Sequence, residues 1–148
     1  MTSFPAHNGV IRGLAYTPDG MVTFINCIFE YPSYFSGMEL MTVGDDKTIK
    51  VWGAEEGTWS DLPRDTVVSK NMVTGLSISA SGDTFATCGE ATQLWTRGRH
   101  VPSRTFQWGV DTIHHVRFNP VETRLLGATS ADRYLILSFI SVRNRNSQ

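Results

Sequence analysis

Cysteine is nearly missing from this chain: only Cys27 and Cys88 occur in 148 residues. They stand 61 positions apart with no Cys-x-x-Cys pair, so neither a zinc site nor a disulfide framework is expected. Two buried thiols in a reducing compartment are expected instead. Charge is also sparse. Charged residues make up 18% and the formal net charge is −1, unlike the basic profile of a free-standing nucleic-acid binder. No apolar run approaches the roughly 18 residues of a membrane span. Met1 to Pro5 lacks the basic and apolar regions of a signal peptide. These absences predict a soluble intracellular chain with no membrane contact. Stretches of helical periodicity are absent too, as are a Gly-x-Ser-x-Gly elbow and a His-Glu-x-x-His pair. No catalytic residue, cofactor, metal or small-molecule substrate is therefore expected.

What the chain does contain is a repeat. Trp52 and Trp95 lie 43 residues apart, and each closes a short strand after a Gly-containing turn. Leu125 to Leu137 follows the same layout, with Ser138 in the tryptophan slot. A period of about 40–45 residues with four short strands per unit is the signature of a WD40 β-propeller. In the first unit Val10, Arg12, Leu14 and Tyr16 alternate as a strand, which Thr17-Pro18-Asp19-Gly20 ends as a turn. Glu39 to Val43 and Thr48 to Trp52 then form a hairpin across Gly44-Asp45-Asp46-Lys47. The second unit repeats the order with Met72 to Ile78, Phe85 to Cys88 and Thr92 to Trp95. The third gives Ile113 to Phe118, Leu125 to Thr129 and Asp132 to Leu137. Segments 65–68 and 104–108 suit outermost fourth strands. The units run over about 7–68, 69–108 and 109–137, and the third has no fourth strand.

His7, Thr42, Asp46 and Trp52 occupy the slots of the hydrogen-bonded chain found in many WD40 units. The indole N–H can donate to the Thr hydroxyl, the hydroxyl to the imidazole, and the carboxylate can orient the ring. An Asp-His-Thr triad is the catalytic alternative. A structural tetrad is favoured, because the indole donor suits a buried network and nothing supplies an oxyanion hole. The second unit is expected to have lost the network, with Gly89-Glu90 in a shorter turn and no Asp. The third keeps Asp132 without His or Trp. Arg97, Arg99, His100 and Arg104 form the densest basic cluster, read chiefly as a solvated loop and secondarily as a contact for RNA phosphate or an acidic partner. His114 and His115 should point to opposite strand faces and so cannot share a metal. Gly44 to Thr48 is not a phosphate loop, since the Asp46 carboxylate would repel the ligand.

The wording of the repeats is more specific than their layout. Val43 to Lys50, Phe85 to Gly89, Thr105 to Ile113, Val116 to Thr123, Leu125 to Gly127 and Ala131 to Arg133 resemble the suppressor-of-fibrillarin family of WD40 proteins. Phe118-Asn119-Pro120 with Glu122-Thr123 and the short second-unit turn carry most of the likeness. The resemblance covers roughly residues 7–20, 38–52 and 66–137. It implies a seven-bladed, non-catalytic scaffold in the nucleolar small-subunit processome, with processome proteins and precursor ribosomal RNA as partners. Some members are linked to a cullin-RING ubiquitin ligase as substrate receptors.

Three departures qualify the resemblance. The chain holds only about three blades, an incomplete ring. Residues 21–37 interrupt the first unit with a mostly apolar run, read chiefly as an unspliced intron or isoform insertion and secondarily as a functional binding loop. The likeness ends at Leu137, and the tail 138–148 replaces the expected aromatic-Asp strand end. A Trp-Asp-x-Arg ligase-docking motif is absent, because Trp52 is followed by Gly53 and Trp95 by Thr96. A truncated isoform without stable function is a further expectation.

Overall fold

The sequence alternates β-branched and polar residues over short stretches, and among the described residues the regular elements are all strands. A computed structural model describes residues 3–17, 39–55, 58–121 and 124–140. The insertion at 21–37, Cys27 and the tail from residue 141 lie outside the described residues. Among the described residues twelve strands form three antiparallel sheets. The first contains β1 (Ile11–Tyr16), β2 (Glu39–Gly44), β3 (Thr48–Glu55), β4 (Thr58–Trp59) and β5 (Asp65–Val68). The second is β6 (Val73–Ile78), β7 (Thr84–Gly89), β8 (Thr92–Thr96) and β9 (Arg104–Phe106). The third is β10 (Ile113–Phe118), β11 (Leu125–Ser130) and β12 (Leu135–Phe139). Segment 65–68 supplies an outer strand that pairs with β3, and the expected 104–108 shortens to Arg104–Phe106, which pairs with β8.

Several strand ends differ from the sequence reading, and two of the differences change a hairpin. β3 runs on past Trp52 because Ala54 and Glu55 pair with Trp59 and Thr58 of β4, a small hairpin with no alternation long enough to betray it. The last strand is not Asp132 to Leu137. Arg133 has a φ of 74°, so the turn reaches further and β12 begins at Leu135 and extends through Ser138 to Phe139.

The sheets stack like blades, inner strand beside inner strand, with β6 contacting both β1 and β10. Paired residues on neighbouring strands share a face, and that register decides the core. Met41, Val43, Ile49 and Val67 of the first sheet pack on Val73, Leu76, Phe85 and Trp95 of the second. Ala86, Cys88 and Leu94 on the opposite face of the second sheet pack on Ile113, Val116, Phe118, Leu126 and Ala128 of the third. Each sheet-to-sheet seam is thus one core.

All three inner strands carry a register shift at one equivalent place: Ile11/Gly13, Val73/Gly75 and Ile113/His115. A β-bulge adds twist and re-aims the inserted residue. Gly75 stands at this bulge because a Cβ there would meet the His114 carbonyl oxygen and Cys88 Sγ at 3.0 Å. The bulge also breaks the alternation expected for His114 and His115, and both are exposed.

Candidate functional site

The turn between β2 and β3 brings Asp46 under the segment that precedes β1, and there the network assembles. His7 Nδ1 lies 2.9 and 3.1 Å from the two Asp46 carboxylate oxygens, and its Nε2 lies 2.8 Å from Thr42 Oγ1. The Trp52 indole N–H donates to Thr42 Oγ1 at 2.8 Å. One proton arrangement satisfies the whole line: indole to hydroxyl, hydroxyl to Nε2, and Nδ1–H to carboxylate. The imidazole is wholly buried, with 0% side-chain exposure. Gly44 makes room for it, since a Cβ there would come within 2.8 Å of His7 Nδ1.

Burial works to raise the Asp46 carboxyl pKa. Hydrogen bonds from His7, from the Thr48 hydroxyl and from the backbone N–H groups of Asn8 and Thr48 outweigh it and hold the carboxyl well below the usual range. Thr48, whose hydroxyl donates to Asp46 Oδ1 at 2.8 Å, was missed from sequence because its β-strand propensity explains it without a polar role. Thr42 is 4% exposed, and its oxygen already accepts from the indole. Such a hydroxyl has no path to a substrate. The chemistry available to these four side chains is mutual orientation.

The second sheet corrects one expectation. Its network is reduced, not lost, for Trp95 Nε1 still donates to Thr87 Oγ1 at 2.9 Å. The strand register puts Thr87 where the first sheet has Thr42, so this half needs neither His nor Asp. Ser69 stands in the place of His7, and its hydroxyl donates to Gln93 Oε1 at 3.3 Å. In the third sheet Ala128 and Ser138 fill the Thr and Trp places. Asp132 there accepts from Ser130 Oγ and from the Asp111 N–H.

The basic cluster sits on the turn after β8 and on β9, and the structure divides it. Arg97 pairs with Glu39 of the first sheet, and His100 Nε2 lies 2.9 Å from Asp65 Oδ1 on β5. Arg64 approaches the same Glu39 at 3.4 Å. Two of the four cluster members therefore clasp the first sheet. Arg99 is exposed and Arg104 half-buried on β9. Arg64 also lies against Gly53, where a Cβ would fall 1.8 Å from its Nε. The place where a Trp-Asp sequence would carry its Asp is thus filled by an arginine. Among the described residues no group of three or more His, Cys, Asp or Glu is arranged to hold a metal.

Residues 1–53 match the WD domain, G-beta repeat family. The chain is similar to DDB1- and CUL4-associated factor 13 of several organisms. It is 37% identical to the Xenopus laevis protein over 134 residues, 89% of this chain. The Dictyostelium discoideum protein is 36% identical over 139 residues, and the Homo sapiens protein 34% identical over 134. The chain spans only 26 to 27% of the length of these relatives. Among solved structures, the RRP9 WD40 repeats superpose with a TM-score of 0.68 at 18% identity, over 93% of this chain and 39% of that one. The structure of U3-55K gives a TM-score of 0.69 at 18% identity, over 93% and 40%. These two likenesses establish the fold: all-β, WD40 propeller blades, and only part of a ring.

Proposed function

We propose that this chain is a set of blades from a non-catalytic docking scaffold for precursor ribosomal RNA in the nucleolar small-subunit processome. The observation that carries this reading is similarity to DDB1- and CUL4-associated factor 13 over 134 residues, together with the motifs shared with the suppressor-of-fibrillarin family. The tetrad of His7, Thr42, Asp46 and Trp52 has a holding role here. Its polar atoms are spent on one another, which leaves the surface loops as the contact elements. Arg99 and Arg104 are the phosphate-facing members of the basic cluster, because Arg97 and His100 are already paired with Glu39 and Asp65.

A second reading follows from the relatives' printed name, which associates them with DDB1 and CUL4. A ligase receptor role for this chain has less support, since Gly53 and Arg64 stand where the docking Asp would be. Capture of the tagged chain from nuclear extract separates the two. The scaffold reading expects enrichment of precursor small-subunit ribosomal RNA, reduced several-fold by R99E with R104E. Recovery of DDB1 and CUL4 without that RNA would overturn it in favour of the ligase reading.

A further inference from the structure

The seam between the first two sheets does not close along its whole length. Near the outer strands it opens into a cleft of about 180 Å³. One wall comes from β2, β3 and β5, and the other from β7 and the turn after β8. Its floor is apolar, made by Met41, Val51, Val67 and Phe85. Phe85 is held parallel to Trp95 at a ring separation of 5.9 Å, which fixes one aromatic ring in that floor. Both walls belong to consecutive sheets, so the cleft is a property of one internal seam.

The mouth of the cleft is polar, and a short turn builds it. The Arg99 N–H donates to the Thr96 carbonyl at 3.0 Å. Gly98 between them has a φ of 74°, a left-handed conformation that glycine adopts at little steric cost. The turn sends Arg97 across the seam to Glu39 and leaves Arg99 exposed at the rim. The other carboxylate oxygen of Glu39 takes Arg64 at 3.4 Å, and Asp65 lines the same rim. Guanidinium donors and carboxylate acceptors therefore surround an apolar floor. Pockets for drug-sized ligands run to about 300–1,000 Å³. This one has room for a single planar ring system.

A nucleobase has the matching build: an apolar face, with hydrogen-bond donors and acceptors along its edge. Bases within a helix are stacked and paired, so only an unpaired one can enter. We infer that the cleft takes one unpaired base of RNA, with the adjoining phosphate on Arg99. The inference rests on the RNA reading above and narrows it to single-stranded RNA. The floor contacts the ring face, while Glu39 and Arg97 offer an acceptor and a donor to the base edge. An aliphatic side chain from a protein partner would suit the floor but make no use of the polar mouth.

Altering the ligand tests this without touching the protein. Fluorescence anisotropy on the unaltered chain compares a random-sequence RNA octamer with a ribose-phosphate octamer that lacks bases. The intact octamer should bind at least about fivefold more tightly, the lower end of what one stacked base supplies. Both should weaken with salt at the same slope, because they carry the same phosphates. V51F fills the cleft and should bring the intact octamer down to the abasic level. The abasic probe should bind V51F as before, which shows that the variant is folded. Equal affinity of the two probes for the unaltered chain would overturn the inference and leave the RNA reading standing, whereas no binding of either would overturn both. Equal affinity together with capture of an acidic Asp-Leu repeat peptide, lost on V51F, would assign the cleft to a protein partner. A base effect that emerges only on deletion of residues 21–37 would also overturn it, since the chain would then cover its own cleft.

Discussion

Replacing Gly44 with alanine probes the network without altering any of its members. A Cβ at Gly44 would lie 2.8 Å from His7 Nδ1, 2.9 Å from its Cγ and 3.2 Å from Asp46 Oδ1. Ordinary contact begins at 3.4 Å, so the imidazole must retreat by about 0.6 Å. It has nowhere free to go, being wholly buried and fixed at both nitrogens. Either the methyl is accommodated by strain, at about 1–3 kcal/mol, or the ring loses its bond to Asp46, at about 1.5–3 kcal/mol. Against this stands a gain of about 0.4–1 kcal/mol from the stiffer unfolded chain. The net is a loss of about 1–2 kcal/mol. With a urea slope of roughly 2 kcal/mol per molar, the unfolding midpoint should fall by roughly 0.5–1 M. In an H7A background the obstacle is gone, and G44A should be neutral or slightly stabilising. The sign is decisive: a midpoint that rises on G44A in the unaltered background would refute the claim that His7 is locked.

Three further outcomes follow from the same contacts. W52A removes a fully buried indole and should cost about 3–5 kcal/mol; an unchanged thermal midpoint would contradict its place in the core. D46N should be less stable than the unaltered chain at neutral pH. The native state holds the Asp46 carboxyl below its usual range, so its contribution is present above about pH 4 and fades as acid protonates it. The two urea midpoints should therefore converge between pH 5 and the acid limit, and a constant gap would exclude Asp46 as the cause. Thr92 Oγ1 is buried with no hydrogen-bond partner among the described residues. T92V should accordingly raise stability by about 1 kcal/mol in calorimetry, whereas a loss would show that the hydroxyl is satisfied.

Much of this was legible in the sequence, and the parts that were not have a common cause. Strand cores such as Thr48 to Trp52 and Thr92 to Trp95 announce themselves by alternation, because one face of each is buried. His7, Thr42, Asp46 and Trp52 could be placed together because they occupy the slots of the hydrogen-bonded chain found in many WD40 units. The bulges at Gly13, Gly75 and His115 could not, since a register shift depends on the partner strand. Equally hidden was the clasp from Arg97 to Glu39, which joins residues 58 positions apart on different sheets. Sequence alone showed four basic side chains in one loop. Only the fold reveals that Arg97 and His100 are spent on carboxylates of the neighbouring sheet. The surviving Trp95 to Thr87 bond was missed for a simpler reason: without His and Asp the motif looked broken, although the register preserves half of it.

The most direct test of the scaffold reading is ultraviolet crosslinking of the tagged chain in living cells, followed by sequencing of the bound RNA. Crosslinks concentrated on precursor small-subunit ribosomal RNA, and reduced several-fold by R99E with R104E, are the predicted result. A crosslink profile identical to that of an unrelated tagged protein would contradict it.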